Sequence, residues 1–110
     1  MNAMKNKVQL IGHVGQEPEI KTFEGGKKLA NLTIATNDSY KNDKGEKVEQ
    51  TEWHKVVAWG KTAEIIEKYV TKGKEIAIEG KLTHRSYDDK NGEKRYVTEV
   101  VANEVLLLGK

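Results

Sequence analysis

Two tryptophans and one lysine on a single segment are the residues whose types and spacing could do chemistry. Trp53 and Trp59 stand six positions apart in the sequence, and Lys55 lies between them. On a regular strand all three side chains share a face, because every second residue points the same way. Indole rings stack on nucleotide bases and an ammonium group pairs with a phosphate, so the pattern suits a chain of nucleotides. The alternative is that one or both indoles fill the core.

Two tyrosines could add to such a surface. Tyr40 and Tyr87 stand where two predicted strands run into their loops, and both have basic neighbours. Tyr69, in contrast, has the spacing of an apolar helix residue and is expected in the core. The alternative for Tyr40 is an exposed tyrosine without a binding role. The basic neighbours are Lys41 and Lys44 beside the first tyrosine, and Arg85 and Lys90 beside the second.

Catalytic and metal-binding patterns do not assemble in the sequence. His13, His54 and His84 fall on three different predicted strands, without the spacing of metal ligands. The Gly-Lys-Thr segment at 60–62 resembles the end of a phosphate-binding P-loop, but Lys55 stands where that motif needs its first glycine. No cysteine is present, which excludes disulfides and thiol catalysis. We therefore expect a binding protein rather than an enzyme, without a metal or other cofactor.

The length and charge of the chain predict one small domain. Its 110 residues suffice for a single core but not for two. Charged residues make up 33% of the chain, yet 19 basic and 17 acidic residues leave a net charge of only +2. Binding through charge alone is therefore not expected, although the two signs can still segregate by face. No apolar run could cross a membrane and no signal peptide opens the chain, so we expect a soluble intracellular domain.

The alternation of apolar and polar residues predicts an all-β protein with one small helix. Predicted strands cover residues 7–14, 29–36, 51–59, 75–82 and 96–108, with a short additional strand at 20–23. A helix is predicted over 63–70, closed by a C-cap glycine at Gly73. A polar loop over 40–50 and a hairpin at Asn91-Gly92 separate the strands.

This order of elements favours a closed barrel over a layered sheet. A lone helix between the third and fourth of five strands cannot build a doubly wound sheet. Strands bent at Gly12 and Gly80, with one helix covering an end, indicate a five-stranded Greek-key OB-fold barrel. An SH3-like barrel and an α+β sandwich are the competing topologies.

Several motifs resemble one known family when they are taken in order along the chain. The segment TEWHKVVAWGK at 51–61 resembles the central segment of bacterial single-stranded DNA-binding proteins. The similarity extends from about Asn6 to Leu108, nearly the whole chain. Further matching segments lie at 6–12, 15–19, 31–36, 73, 78–80, 96 and 98–100.

The resemblance implies an OB-fold that wraps single-stranded DNA without sequence specificity in replication, recombination and repair. It also implies a cytoplasmic, nucleoid-associated protein. The family's base-stacking aromatics match Tyr40, Trp53, Trp59 and Tyr87. The family usually has Trp at the first and last of these and Phe at the third, and Ser86 replaces a common cation. The matching basic positions, expected to contact phosphates, are Lys7, Lys41, Lys55, Lys61, Lys72, Arg85 and Arg95.

The resemblance further implies a homotetramer. His54 matches a histidine that supports subunit association, and the first strand would pair across a dimer. The expected interface residues are His54, Lys7, Val8, Gln9, Leu10 and Ile11. An RNA-binding or primosome-type OB-fold, a protein-interaction module and an OB-fold hydrolase remain the alternatives.

Both ends of the sequence carry expectations of their own. Residues 1–3 precede a second methionine, so we expect them to be vector-derived and the domain to cover 4–110. The family's full-length members recruit replication and repair proteins through a tail with an acidic, hydrophobic tip. No such tip stands in this sequence. We expect either a domain without its tail or a short form of the family.

Overall fold

The computed structural model describes residues 5–108 of the chain. The expected vector-derived residues 1–3 and the expected native start at Met4 therefore lie outside the described residues. No helix within the described part is long and apolar enough to cross a membrane.

The described chain contains six strands and one α-helix in the order β-β-β-β-α-β-β. The second strand is the short additional one expected near 20–23. The elements are β1 (Val8–Val14), β2 (Glu19–Thr22), β3 (Lys28–Lys41), β4 (Lys47–Trp59), α1 (Gly60–Tyr69), β5 (Glu75–Asp88) and β6 (Lys94–Leu107).

The sheet closes on itself. Its strands follow the order β1-β5-β6-β4-β3-β2, and β1 also pairs with β3 at His13 and Val14. All pairs are antiparallel except β4 with β6, which run parallel where Val56 pairs with Val100. Five strands thus form a closed barrel, β2 is added to β3, and α1 joins the third and fourth barrel strands. The OB-fold predicted from the sequence is confirmed, and the SH3-like and sandwich alternatives are wrong.

The core follows the predicted alternation. Ala30 and Ile34 on β3 and Val56 on β4 are fully buried. The helix buries Ala63 and Ile66, which recur at helical spacing and cover one end of the barrel. Tyr69 is 56% exposed, so its prediction as a core residue is wrong. The buried stripe of α1 continues to Val70 instead, which leaves Tyr69 on the outer side of the helix.

Gly12 and Gly80 mark places where two strands meet closely. A Cβ atom on Gly12 would collide with the carbonyl oxygen of Ala35, and one on Gly80 with the carbonyl oxygen of Val101. A register shift between β5 and β6 also falls at Gly80. The mid-strand glycines therefore allow the barrel to close, as the sequence predicted.

The helix ends without the predicted glycine cap. Val70 is the C-cap in an extended conformation, and its N–H donates to the carbonyl of Ile66 at 3.0 Å. Gly73 lies three residues further, with φ +87°, and its N–H donates to the carbonyl of Val14 at 2.8 Å. The glycine thus shapes the turn into β5 and ties it to β1, and its prediction as a C-cap is wrong.

Two hairpins extend beyond the barrel. β3 and β4 stay paired as far as Lys41 with Lys47, and β5 and β6 as far as Asp88 with Lys94. The polar loop predicted over 40–50 is therefore wrong, because only residues 42–46 separate the two strands. These strand ends escaped prediction because a ribbon that leaves the core has no apolar side, so the alternation of residue types disappears.

Candidate nucleic-acid interface

One surface of the barrel gathers most of the predicted binding residues. On β4, Val56 and Ala58 are fully buried, so the residues between and beside them point away from the core. We call this side of β3 and β4, together with the same side of β5 and β6 between Gly80 and their hairpin tip, the outer face. It carries Trp53, Lys55 and Trp59, as the spacing predicted. Strand pairing extends the outer face from β4 across β6 to β5, where Arg85 pairs with Val97 and Tyr87 pairs with Arg95.

Trp53 packs closely against the barrel at a glycine. A Cβ on Gly15 would collide with Cζ3 of the indole and would lie 3.2 Å from its Cη2. The N–H of Gly15 donates to the carbonyl of Thr33 at 3.0 Å, which holds the glycine in place. Trp53 is nevertheless 63% exposed. The interpretation that this indole fills the core is therefore wrong, and a broad ring surface is open to solvent.

Trp59 occupies a different setting at the end of β4. Its ring stacks on Phe23 with 6.0 Å between centroids and 26° between planes. The ammonium of Lys27 lies 5.2 Å from the indole centroid, within the range of a cation–π contact. Trp59 is 42% exposed, so it is also outside the core. No sequence pattern signalled Phe23, because its contact with Trp59 depends on the turn between β2 and β3.

A polar groove of about 200 Å³ lies beside Lys55. Its hydrogen-bonding side chains include the amides of Gln16 and Asn31, which could contact base edges or sugars. Glu17 and Glu19 line the same groove and oppose a phosphate there. The phosphate contact expected of Lys55 would therefore lie on the Trp53 side of the lysine, away from these carboxylates.

A buried carboxylate holds Arg85, which lies beside Tyr87. Arg85 Nε donates to Glu99 Oε1 at 2.8 Å, and the guanidinium carbon lies 6.0 Å from the Tyr87 ring centroid. The hydrogen bond to Glu99 raises the pKa of Arg85 further, so the guanidinium stays charged. Glu99 is only 6% exposed, and its Oε2 has no hydrogen-bond partner within residues 5–108. The sequence signals for Glu99 are its place beside two valines in a strand and its position in a segment, 98–100, that resembles the family.

Arg95 is engaged at the tip of the β5–β6 hairpin. Its Nε donates to Asp89 Oδ2 at 2.8 Å, and its Nη2 lies 3.7 Å from Glu93 Oε2. The hydrogen bond from Arg95, aided by backbone N–H groups, lowers the pKa of Asp89 below its ordinary value of 3.8. Two carboxylates therefore neutralise this arginine, which would have to leave them to contact a phosphate.

The other predicted phosphate ligands are spread around the molecule. Lys41 ends β3 on the outer face, and Lys61 follows Trp59 closely at the start of α1. Lys7 forms an ion pair with Glu79 at 3.2 Å. It precedes β1, whose opposite end pairs with β3 near Trp53, so Lys7 lies away from this indole. Lys72 lies in the turn after α1, which also carries Gly73. The structure thus places Lys41, Lys55 and Arg85 on the outer face and leaves Lys7 outside it.

Tyr40 lies on the opposite side of its hairpin from Trp53. Its cross-strand partner is Val48, and the alternation of β3 gives Tyr40 the same side as Thr36. It is 50% exposed. A DNA strand that contacts both rings would have to pass around the hairpin rather than along one flat surface.

Two features bear on the predicted subunit contacts. His54 is half-buried, and its Nε2 lies 2.9 Å from Thr36 Oγ1 in a hydrogen bond. β1 stands at one end of the sheet order, with β5 on one side. On its other side, only His13 and Val14 find a partner within residues 5–108, so the edge of Val8–Ile11 is open there. We call this the β1 edge.

The part of the chain at 5–108 holds no group of three or more His, Asp or Glu side chains that could bind a metal ion. The outer face offers rings, cations and amides instead. This combination suits stacking and ion pairing better than bond-making chemistry.

Comparison with known proteins places the chain among its relatives. The model of the single-strand binding protein family matches residues 5–108. The chain is similar to single-stranded DNA-binding protein 1 of Chlorobaculum tepidum, with 47% identity over 105 residues that cover 94% of this chain. The corresponding protein of Xylella fastidiosa is 45% identical over 109 residues, 98% of this chain. The chain spans 65% of the length of the first relative and 80% of the second.

Solved structures agree with these matches and with the barrel. A Plasmodium falciparum SSB in complex with ssDNA superposes with a TM-score of 0.88 at 32% identity, covering 99% of this chain and all of the other. A deletion mutant of the single-stranded DNA binding protein from Thermus aquaticus superposes with a TM-score of 0.81 at 31% identity, covering 94% of this chain and 50% of the other. With its barrel, its exposed indoles and a family match over residues 5–108, the chain belongs to the single-strand binding protein family.

Proposed function

We propose that the chain binds single-stranded DNA without sequence specificity. The observation that carries this proposal is Trp53, a large indole that packs against Gly15 and is still 63% exposed. Stacking on such a ring suits any base, because every base has a π-face. A duplex would bind poorly, since its bases are already stacked and its backbone is stiffer.

The remaining contacts follow the sequence expectations. Bases would stack on Trp53, Trp59 and Tyr87, and on Tyr40 after the strand has passed around the β3–β4 hairpin. Phosphates would be paired by cations near these rings, with Lys41, Lys55 and Arg85 the best placed. Lys7, Lys61, Lys72 and Arg95 would contribute where the strand leaves the outer face.

The cellular role follows from the family. We propose that the chain protects exposed single strands during replication, recombination and repair, as a cytoplasmic, nucleoid-associated protein. Relatives named for single-stranded DNA binding, and a structural relative bound to ssDNA, support the binding activity that this role requires. The chain would act by binding rather than by catalysis.

Tryptophan fluorescence tests the proposal directly, because both indoles of the chain lie on the outer face. Titration with oligo(dT) should quench the emission strongly at low salt. The apparent affinity should fall as salt rises, because the release of counterions from the DNA on binding is then less favourable. A duplex of equal length and poly(rU) are the controls. Absence of quenching and of binding by the folded chain would overturn the proposal, and a preference for poly(rU) would redirect it to RNA.

We also propose that the chain assembles as a homotetramer through two surfaces. The first is the β1 edge, whose open backbone groups can pair with the same strand of a second copy. The second is an apolar stripe of Ile11, Ala77 and Leu106, which pair in register across β1, β5 and β6. Ile11 is 55% and Leu106 is 62% exposed. Two different self-complementary surfaces are what a tetramer of twofold symmetry needs.

A further inference from the structure

The turn between β2 and β3 holds two side chains against Trp59. In this segment, the Phe23–Lys27 turn, the N–H of Phe23 donates to the carbonyl of Lys27 at 2.7 Å. The N–H of Gly26 donates back to the carbonyl of Phe23 at 3.0 Å. Gly25 and Gly26 have φ of +86° and +83°, a region in which other residues are strained. These hydrogen bonds and the two glycines therefore give the turn a defined geometry.

Phe23 is not required by the barrel core. Its ring is 45% exposed and contacts Trp59, which is itself 42% exposed. An aromatic pair in which both rings remain half in solvent buries little apolar area for its size. The two rings are already in contact at 6.0 Å between centroids, so a base could not enter between them. The exposed part of the Phe23 ring instead continues the aromatic surface past Trp59.

Lys27 supplies the charge that a nucleotide site would need. Its ammonium lies over the Trp59 ring, and within residues 5–108 it forms no ion pair with a carboxylate. The next residue differs, because Lys28 forms an ion pair with Glu67 on α1. Of these two neighbouring lysines, only Lys27 is available to a phosphate without losing an ion pair.

We propose that Phe23 is a further base-stacking residue and Lys27 a further phosphate-binding residue. The bound strand then continues from Trp53 and Lys55 past Trp59 onto the Phe23–Lys27 turn. This inference rests on the proposed function and extends it by one nucleotide subsite. The alternative is that Phe23 only supports the Trp59 ring and never touches DNA.

A single indole placed at position 23 tests direct contact. Trp53→Phe and Trp59→Phe remove the native indoles and keep aromatic rings, and Phe23→Trp then gives the only fluorophore of its kind. We expect oligo(dT) to quench it. The matched control carries Tyr69→Trp in the same double-Phe background, on the exposed side of α1, and should respond little. If anisotropy of a labelled oligonucleotide shows that the Phe23→Trp variant is saturated with oligo(dT) and the indole at position 23 is still not quenched, the proposal is overturned.

Affinity of variants in the native background separates stacking from support. Phe23→Ala should weaken oligo(dT) binding by about 5- to 150-fold, the effect of losing one stacked base. Phe23→Leu keeps an apolar group against Trp59 but has no ring, so it should lose nearly as much. Full affinity of Phe23→Leu would show that the residue is a support only.

The salt dependence tests the lysine. Lys27→Ala should lower the slope of log affinity against log salt by about 0.7, the value for one phosphate of a single strand. Lys68→Ala on α1 removes the same charge elsewhere and should leave the slope unchanged. An unchanged slope for Lys27→Ala would remove this lysine from the proposal. If the parent chain itself fails to bind oligo(dT), the proposed function fails, which is a different result from a silent position 23.

Discussion

Trp53 can pack closely against the barrel only because residue 15 has no side chain. The Cβ introduced by Gly15→Ala would collide with the indole and lie 3.0 Å from Thr33 Oγ1. The ring is the flexible partner, so it should move out of its position. We expect Gly15→Ala to weaken oligo(dT) binding, by less than the roughly 5- to 150-fold loss expected for Trp53→Ala. Anisotropy titration measures both.

The double variant is the control for this prediction. Once Trp53→Ala has removed the indole, Gly15→Ala has no ring to displace. The pair together should therefore bind no more weakly than Trp53→Ala alone. If the double variant instead showed the sum of the two losses of binding free energy, Gly15 would not act through Trp53.

Because Glu99 is buried, the stability of the folded chain depends on Arg85. Its buried carboxylate has one oxygen bonded by Arg85 and the other without a partner in the described chain. Arg85→Ala would leave a buried charge unpaired, which is strongly unfavourable. We expect the urea midpoint of Arg85→Ala to fall clearly below that of Lys81→Ala, a loss of the same charge from the same strand. Adding Glu99→Gln should recover part of the loss, and a further decrease would contradict this account.

Side chains on regular strands could be predicted from the sequence, whereas contacts made through turns could not. The spacing of Trp53, Lys55 and Trp59 was enough to put them on one face, because a strand alternates strictly. Phe23 escaped because its partner Trp59 is distant in sequence and the turn geometry decides the contact. Tyr69 was misplaced because apolar spacing allowed two adjacent stripes on α1, and packing chose the stripe of Ala63, Ile66 and Val70.

At the scale of elements, the two protruding hairpins have turns of the same kind. Asn42 Oδ1 accepts hydrogen bonds from the N–H groups of Lys44 and Glu46. Asp89 Oδ1 does the same for two N–H groups in the β5–β6 hairpin. Both turns have an Asn or Asp at the first position, Gly at the fourth and Glu at the fifth. This repeated pattern is a sequence signal, but it became recognisable only with the strand ends known.

The hairpin of β5 and β6 should respond to acid at Asp89. Because Arg95 lowers the pKa of Asp89 in the folded chain, its carboxylate contributes stability at pH values above its ordinary 3.8. That contribution is lost as the pH falls through the lowered pKa. Carboxyl NMR titration should give a midpoint below 3.8, and Arg95→Gln should move it upward. A midpoint at or above 3.8 in the parent chain would show that the pair does not persist in solution.

At the scale of the whole molecule, β5 and β6 serve two surfaces. Between Gly80 and the hairpin tip, this pair of strands carries Arg85 and Tyr87 on the outer face. On the other side of Gly80, it carries Ala77 and Leu106 of the apolar stripe. The register shift at Gly80 lies between the two halves and bends the hairpin there. One pair of strands can therefore present a DNA surface and an assembly surface without overlap, and a variant of one should leave the other intact.

The apolar stripe gives the prediction that separates assembly from binding. In a homotetramer, the parent should have the mass of four 12.4 kDa chains in sedimentation experiments. Leu106→Glu would place a charge in the apolar contact between two dimers while leaving the β1 edge unchanged, so it should halve that mass. Tyr69→Glu changes an aromatic of similar exposure on α1 and should keep the parent's mass. Because Leu106 lies away from the outer face, the dimer should still quench with oligo(dT) through Trp53, although a strand long enough to reach a second dimer should bind more weakly. A parent chain that sediments at 12.4 kDa, or a Leu106→Glu variant of unchanged mass, would contradict this assembly.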